Sequence, residues 1–151
     1  MFFRIYHKHL WSYVVHMIKI VRGSCAWCLP CAWAFLIFVL SSIPHLSTNG
    51  QFTFTLSDKF AHLLAFMPLG FFIYSAQQEW PLVDRRFSFK LTMVFGLLYG
   101  LSDEIHQIFV PGRYFDIFDF IADGIGVYLG AVSFVLLNKY SRQLVKITTH
   151  E

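Results

Sequence analysis

The sequence predicts an all-α integral membrane protein, a bundle of four transmembrane helices with both termini in the cytoplasm. Three observations predict it. The 151 residues are 56% hydrophobic and only 14% charged, where a soluble domain carries about a quarter charged residues. The apolar residues gather into four runs, each close to the roughly 20 helical residues that cross a hydrocarbon core of about 30 Å. Lys and Arg fall almost wholly on one side of those runs. Helices follow because only helices and closed barrels satisfy a backbone in lipid, and the runs lack a barrel's strict alternation.

The chain divides into a basic, aromatic N-terminal segment (1–23), a transmembrane domain (24–138) and a basic C-terminal tail (139–151). A length near 150 suits one domain. Residues 2–22 mix aromatics with Arg, Lys and His. They suit either a helix lying on the membrane surface or a positively charged lead-in to the first span. A cleavable signal is not expected, because a long basic stretch is followed by a full-length apolar run.

The first span is read at 25–43. Its Cys25, Cys28 and Cys31 read better as small fillers of a membrane helix than as metal ligands, with Pro30 among them and no fourth ligand nearby. The second span is read at 59–76, the third at 89–110 and the fourth at 117–137. Pro111 and Gly112 should end the third span and turn the chain. Ten of the twelve basic residues lie on the side of the two termini and the 85–90 connection, against Lys59 and Arg113 on the other. The positive-inside rule then makes both termini cytoplasmic. The net charge of +3 is thus a topology signal, and dispersed basic residues give no reason to expect a nucleic-acid partner.

Six of the nine acidic residues fall in three short stretches: Asp58, then Asp103 and Glu104, then Asp116, Asp119 and Asp123. A charge near the centre of a bilayer costs roughly 2.5–3.5 kcal/mol on insertion scales. The predicted topology brings all three stretches to the outer side. Helical spacing puts Asp119, Asp123, Gly126 and Gly130 on one face of the fourth span, and Gly96, Gly100, Glu104 and Gln107 on one face of the third. Spaced glycines let membrane helices approach closely, so these carboxylates should point into the bundle.

Asp58 and Asp116 also sit where helix caps belong, and Asp119 could complete a capping-box-like pair with Asp116. Lys59 could serve as a surface anchor, and His106 and Gln107 as hydrogen-bonding glue between helices. Capping cannot account for Asp103, Glu104 and Asp123, which lie well inside spans. Two chemistries suit the set. His62, Glu104, Asp119 and Asp123 could hold a divalent cation, with oxygen ligands favouring Mg²⁺, Ca²⁺ or Mn²⁺ and imidazole adding Zn²⁺. Crowded Glu104, Asp119 and Asp123 could instead share protons as acid and base. Lys59, Arg113 and Gln107 would meet an anionic group at the same rim.

The run D-K-x-x-H on Asp58, Lys59 and His62, D-E-x-x-Q on Asp103, Glu104 and Gln107, and P-G-R on Pro111, Gly112 and Arg113 resembles the VanZ-like membrane protein family. Asp119, Asp123, Gly126 and Gly130 continue its D-x-x-x-[ND]-x-x-G-x-x-x-G pattern. The resemblance covers about residues 35–137 and implies a multi-pass protein of the bacterial cytoplasmic membrane. It also implies an association with low-level resistance to the glycopeptide teicoplanin, without implying a reaction. Asn is more frequent in that family where this chain has Asp123; the extra charge favours a protonated or metal-bound state.

The leading expectation is therefore a cell-envelope protein whose outer-leaflet site binds an anionic lipid or lipid-linked precursor and, in its stronger form, modifies it. The alternative is a non-enzymatic structural or interaction protein whose polar cluster fixes helix packing. Ion or proton movement is a weaker alternative, since the reading shows no second polar layer on the inner side, unless an oligomer supplied one.

Overall fold

Four helices account for the four apolar runs in the computed structural model, which describes residues 25–44, 56–79 and 84–148. They are α1 (Cys28–Ser41), α2 (Leu56–Gln77), α3 (Arg85–Gln107) and α4 (Ile117–Thr148). The N-terminal segment 1–23 and most of the 45–58 loop lie outside the described residues.

The helix ends differ from the predicted spans. At 14 residues, α1 is about 21 Å long, shorter than a hydrocarbon core. α3 starts earlier and stops at Gln107, because residues 108–112 turn the chain through Pro111 and Gly112. Gly112, at φ 79°, completes that turn, a conformation glycine adopts without Cβ strain. α4 runs on to Thr148, so residues 139–148 of the expected tail are helical. No Gly or Pro interrupts the chain after Gly130, and a hydropathy boundary does not stop a helix. Among the described residues, two helices are long and apolar enough by themselves to cross a membrane, Leu56–Gln77 and Ile117–Ser141. α3 is as long, but carries Arg85, Arg86, Lys90, Asp103 and Glu104.

α2 and α4 form the central pair, and they run parallel. A Cβ on Gly126 would stand 2.5 Å from the Leu63 carbonyl oxygen, one on Gly130 1.9 Å from that of Met67, and one on Gly70 2.2 Å from that of Val127. These glycines let two backbones touch. α3 packs antiparallel to α4, with Gly96 against the Val127 methyls and Gly100 against Asp123. α1 lies beside α2 and α3: Trp33 Nε1 donates to the Ala65 carbonyl over 2.8 Å, and the Tyr99 hydroxyl donates to that of Ala34.

The packing is inside-out. Among the described residues, eleven polar or charged residues are buried against ten apolar ones. Large apolar side chains such as Phe35, Leu64, Leu98, Phe109 and Leu136 stand exposed along the outer surface. Water would reverse that arrangement; lipid accounts for it.

Candidate functional site

The C-terminal end of α1, the N-terminal end of α2, the C-terminal end of α3 and the N-terminal end of α4 meet at one end of the bundle. All three acidic stretches are therefore together there. At the centre, His62 Nδ1 lies 3.0 Å from Asp123 Oδ1, pairing a residue nearly two turns into α2 with one on the facing side of α4. Gly100 of α3 makes room for that carboxylate: a Cβ there would stand 3.1 Å from Asp123 Oδ2. Glu104 completes the group. Its Oε2 accepts the backbone N–H of Asp116 over 2.8 Å. Glu104 and Asp123 are both 0% exposed and His62 only 8%.

Glu104 Oε1 and Asp123 Oδ2 are buried and accept no hydrogen bond from the described residues. His62, Glu104 and Asp123 each offer a ligand atom within 4.8 Å of the others. Opposed donors on a cation with bonds of about 2.0–2.2 Å stand roughly 4 Å apart, so donors gathered within this limit are near enough to share one ion. Asp58, His62 and Asp119 form a second such trio that shares the imidazole.

A second layer lies toward the helix ends. Lys59 Nζ pairs with Asp116 Oδ2 and, over 2.7 Å, with Asp119 Oδ1. Asp116 caps α4 by accepting the Phe118 N–H on Oδ1 over 2.8 Å. The reciprocal partner in a capping box would be Asp119; here the Asp116 N–H goes to Glu104 of α3, and Asp119 turns to Lys59. Asp58 is half-buried inside the first turn of α2, a position beyond the cap expected of it. Asp103 stands to one side, accepting from Ser41 Oγ over 2.6 Å and from Gln107 Nε2 over 3.1 Å. His106 Nε2 lies 2.9 Å from Ser42 Oγ. Arg113 Nε donates to the Ile43 carbonyl over 3.2 Å.

Residues 8–138 match the VanZ/LLP1 family. The chain belongs to that family. No curated protein and no solved structure matches it. The match takes in most of the N-terminal segment, α1 to α3, and α4 as far as Asn138. In this VanZ/LLP1 protein the D-K-x-x-H, D-E-x-x-Q and D-x-x-x-D stretches supply His62, Glu104, Asp123 and their immediate neighbours. A cavity of about 140 Å³ opens beside them, lined among others by Ser41, Asp58, His62, Asp103 and Arg113. On the other side of α2, a largely apolar groove of about 270 Å³ leads to Lys59 between Phe60, Leu63, Phe118 and Ile121.

Ser41 and Ser42 escaped the sequence reading. Their only signal is a polar pair closing an apolar run. The other omission is a polar layer at the far end of the bundle, which the sequence reading held to be absent. There Gln77 Nε2 donates to Thr92 Oγ1 and Thr92 Oγ1 to the Ser88 carbonyl, both over 2.9 Å. Gln77, Ser88 and Thr92 are all buried.

Proposed function

We propose that this membrane protein holds a divalent cation between His62, Glu104 and Asp123, and that the cation receives the anionic headgroup of an envelope lipid or lipid-linked precursor. One observation carries the reading: Glu104 Oε1 and Asp123 Oδ2 are both buried with no hydrogen-bond donor among the described residues, in two residues that with His62 bring ligand atoms within 4.8 Å of one another. Five buried carboxylates, Asp103, Glu104, Asp116, Asp119 and Asp123, gather at this end of the bundle, and Lys59 pairs with Asp116 and Asp119. Unpaired buried charge is costly unless a proton or a metal neutralises it. Two carboxylates and an imidazole suit Mn²⁺, Mg²⁺ or Zn²⁺. Cation charge at the cavity beside Arg113 would attract a phosphate, and the groove between α2 and α4 would take an acyl chain. The site would face the outer leaflet of the bacterial cytoplasmic membrane, with both termini cytoplasmic, as the distribution of Lys and Arg implies.

The test is thermal unfolding of purified protein in detergent, after chelation, with single divalent cations and then phosphatidylglycerol added. A cation present at 100 times its Kd stabilises by about 2.7 kcal/mol. That gain should vanish in Asp123→Asn and His62→Ala, and with it a cation-dependent component of phosphatidylglycerol binding. Absence of any cation effect on the wild type would sink the proposal. Modification of the headgroup, with Glu104, Asp119 and Asp123 as acid and base, predicts a changed lipid mass after incubation. The implied link to glycopeptides predicts altered teicoplanin susceptibility when the gene is removed.

A structural role has its own support in the Lys59 pairs and the Glu104 link to α4. It predicts loss of stability in the same variants with no cation effect in the wild type. Ion movement is less well supported. His62 and Gln77 are separated by about 22 Å of helix, and Phe66, Leu69, Ile73 and Val127 pack the space between as an apolar core.

A further inference from the structure

At the end of the bundle away from the carboxylates, α2, α3 and α4 enclose a cavity of about 330 Å³. Its lining includes Tyr74, Gln78, Arg85, Phe134, Asn138 and Lys139. We propose that it binds the phosphate headgroup of an anionic lipid, independently of the site around His62.

The polar lining is biased toward donors. Arg85 and Lys139 bring two positive charges from α3 and α4, and Gln78 and Asn138 bring amide groups. Among the described residues no carboxylate lines the cavity; Asp84 and Glu79, the described acidic residues at this end, are exposed outside it. Gln78 Nε2 is shut off from solvent and finds no hydrogen-bond acceptor among the described residues. A buried donor left without an acceptor is costly, and a phosphate oxygen would satisfy it. The guanidinium fork of Arg85 matches two phosphate oxygens, while Lys139 serves as a point charge. Phe134 and Val135 form an apolar wall that continues into the exposed face of α4 at Leu136 and Leu137. That continuity favours a phosphate carrying acyl chains over a free anion. Basic pockets between membrane helices recognise lipid headgroups in this manner.

The full chain in detergent, with divalent cations chelated so that the site around His62 stays unloaded, would be titrated with phosphatidylglycerol, phosphatidylcholine and inorganic phosphate, and bound lipid counted by native mass spectrometry. Phosphatidylglycerol should bind at least tenfold more tightly than phosphatidylcholine, and millimolar inorganic phosphate should not displace it. The exposed double variant R85Q/K139Q should lose that preference at unchanged melting temperature. R86Q/K90Q removes the same charge at the same end from residues that do not line the cavity, and should keep it. Asp123→Asn should also keep it, which separates this site from the carboxylate site. Equal losses in the two double variants would mean general surface attraction and overturn the proposal. So would binding of inorganic phosphate without retention of lipid.

Discussion

Glu104 Oε2 accepts the backbone N–H of Asp116 over 2.8 Å, so a buried carboxylate of α3 closes the first turn of α4. One residue thereby holds two helices in register while its other oxygen is buried without a donor among the described residues. Glu104→Gln keeps an acceptor for that N–H and removes one of the crowded charges. Glu104→Ala orphans the N–H, which costs about 1–3 kcal/mol. In chelator, the Gln variant should melt no lower than wild type and the Ala variant clearly lower, by detergent unfolding. Equal melting of the two variants would remove the structural half of Glu104's role.

Lys59 is the counter-charge for Asp116 and Asp119, with its side chain 13% exposed and theirs 8% and 5%. Lys59→Met leaves both carboxylates buried without it, and breaking a buried pair from one side costs roughly 3–5 kcal/mol. Adding Asp119→Asn should recover much of that loss. The double-mutant cycle reads the coupling directly; simple additivity would show that the pair contributes nothing.

The glycine contacts make a graded prediction. Gly130→Ala would place a Cβ 1.9 Å from the Met67 carbonyl oxygen, a backbone atom that cannot turn aside. At Gly124 the nearest atom is Leu97 Cδ2 at 3.0 Å, the tip of a flexible side chain. Alanine gains about 1 kcal/mol over glycine in helix propensity, while overpacking costs about 1–3 kcal/mol. Gly130→Ala should therefore lower the melting temperature, and Gly124→Ala should leave it level or raise it.

Much of this arrangement was legible from residue spacing. Asp123, Gly126 and Gly130 repeat at helical intervals, so one face had to carry both the carboxylate and the close approach, and α2 does meet that face. Partners that depend on register between helices were not legible. Nothing local indicates that the Asp116 N–H reaches Glu104, or that Asp119 turns to Lys59; both follow from how far α2 and α3 slide along α4. Helix ends were misjudged for a different reason. Hydropathy reports where lipid contact stops, whereas α4 continues past Lys139 because its residues still favour a helix.

The Gln77 and Thr92 pair was missed because each residue alone interrupts its apolar run only mildly, and their meaning lies in the contact. Gln77 Nε2 donates to Thr92 Oγ1 over 2.9 Å and to the Ile73 carbonyl over 3.3 Å. Thr92→Val removes the better acceptor while preserving shape, which leaves a buried amide under-satisfied at a cost of about 1–3 kcal/mol. Gln77→Leu combined with Thr92→Val replaces both partners with apolar groups and should come close to wild-type stability. The same double variant separates two functions. Binding of cation and lipid around His62 should survive it, because the apolar layer of Phe66, Leu69 and Val127 lies between. A proton or ion path through the bundle would lose its far polar station. Proteoliposome flux that is present in the wild type and absent in the double variant would therefore favour transport, and unchanged cation binding would locate the function at the carboxylate end.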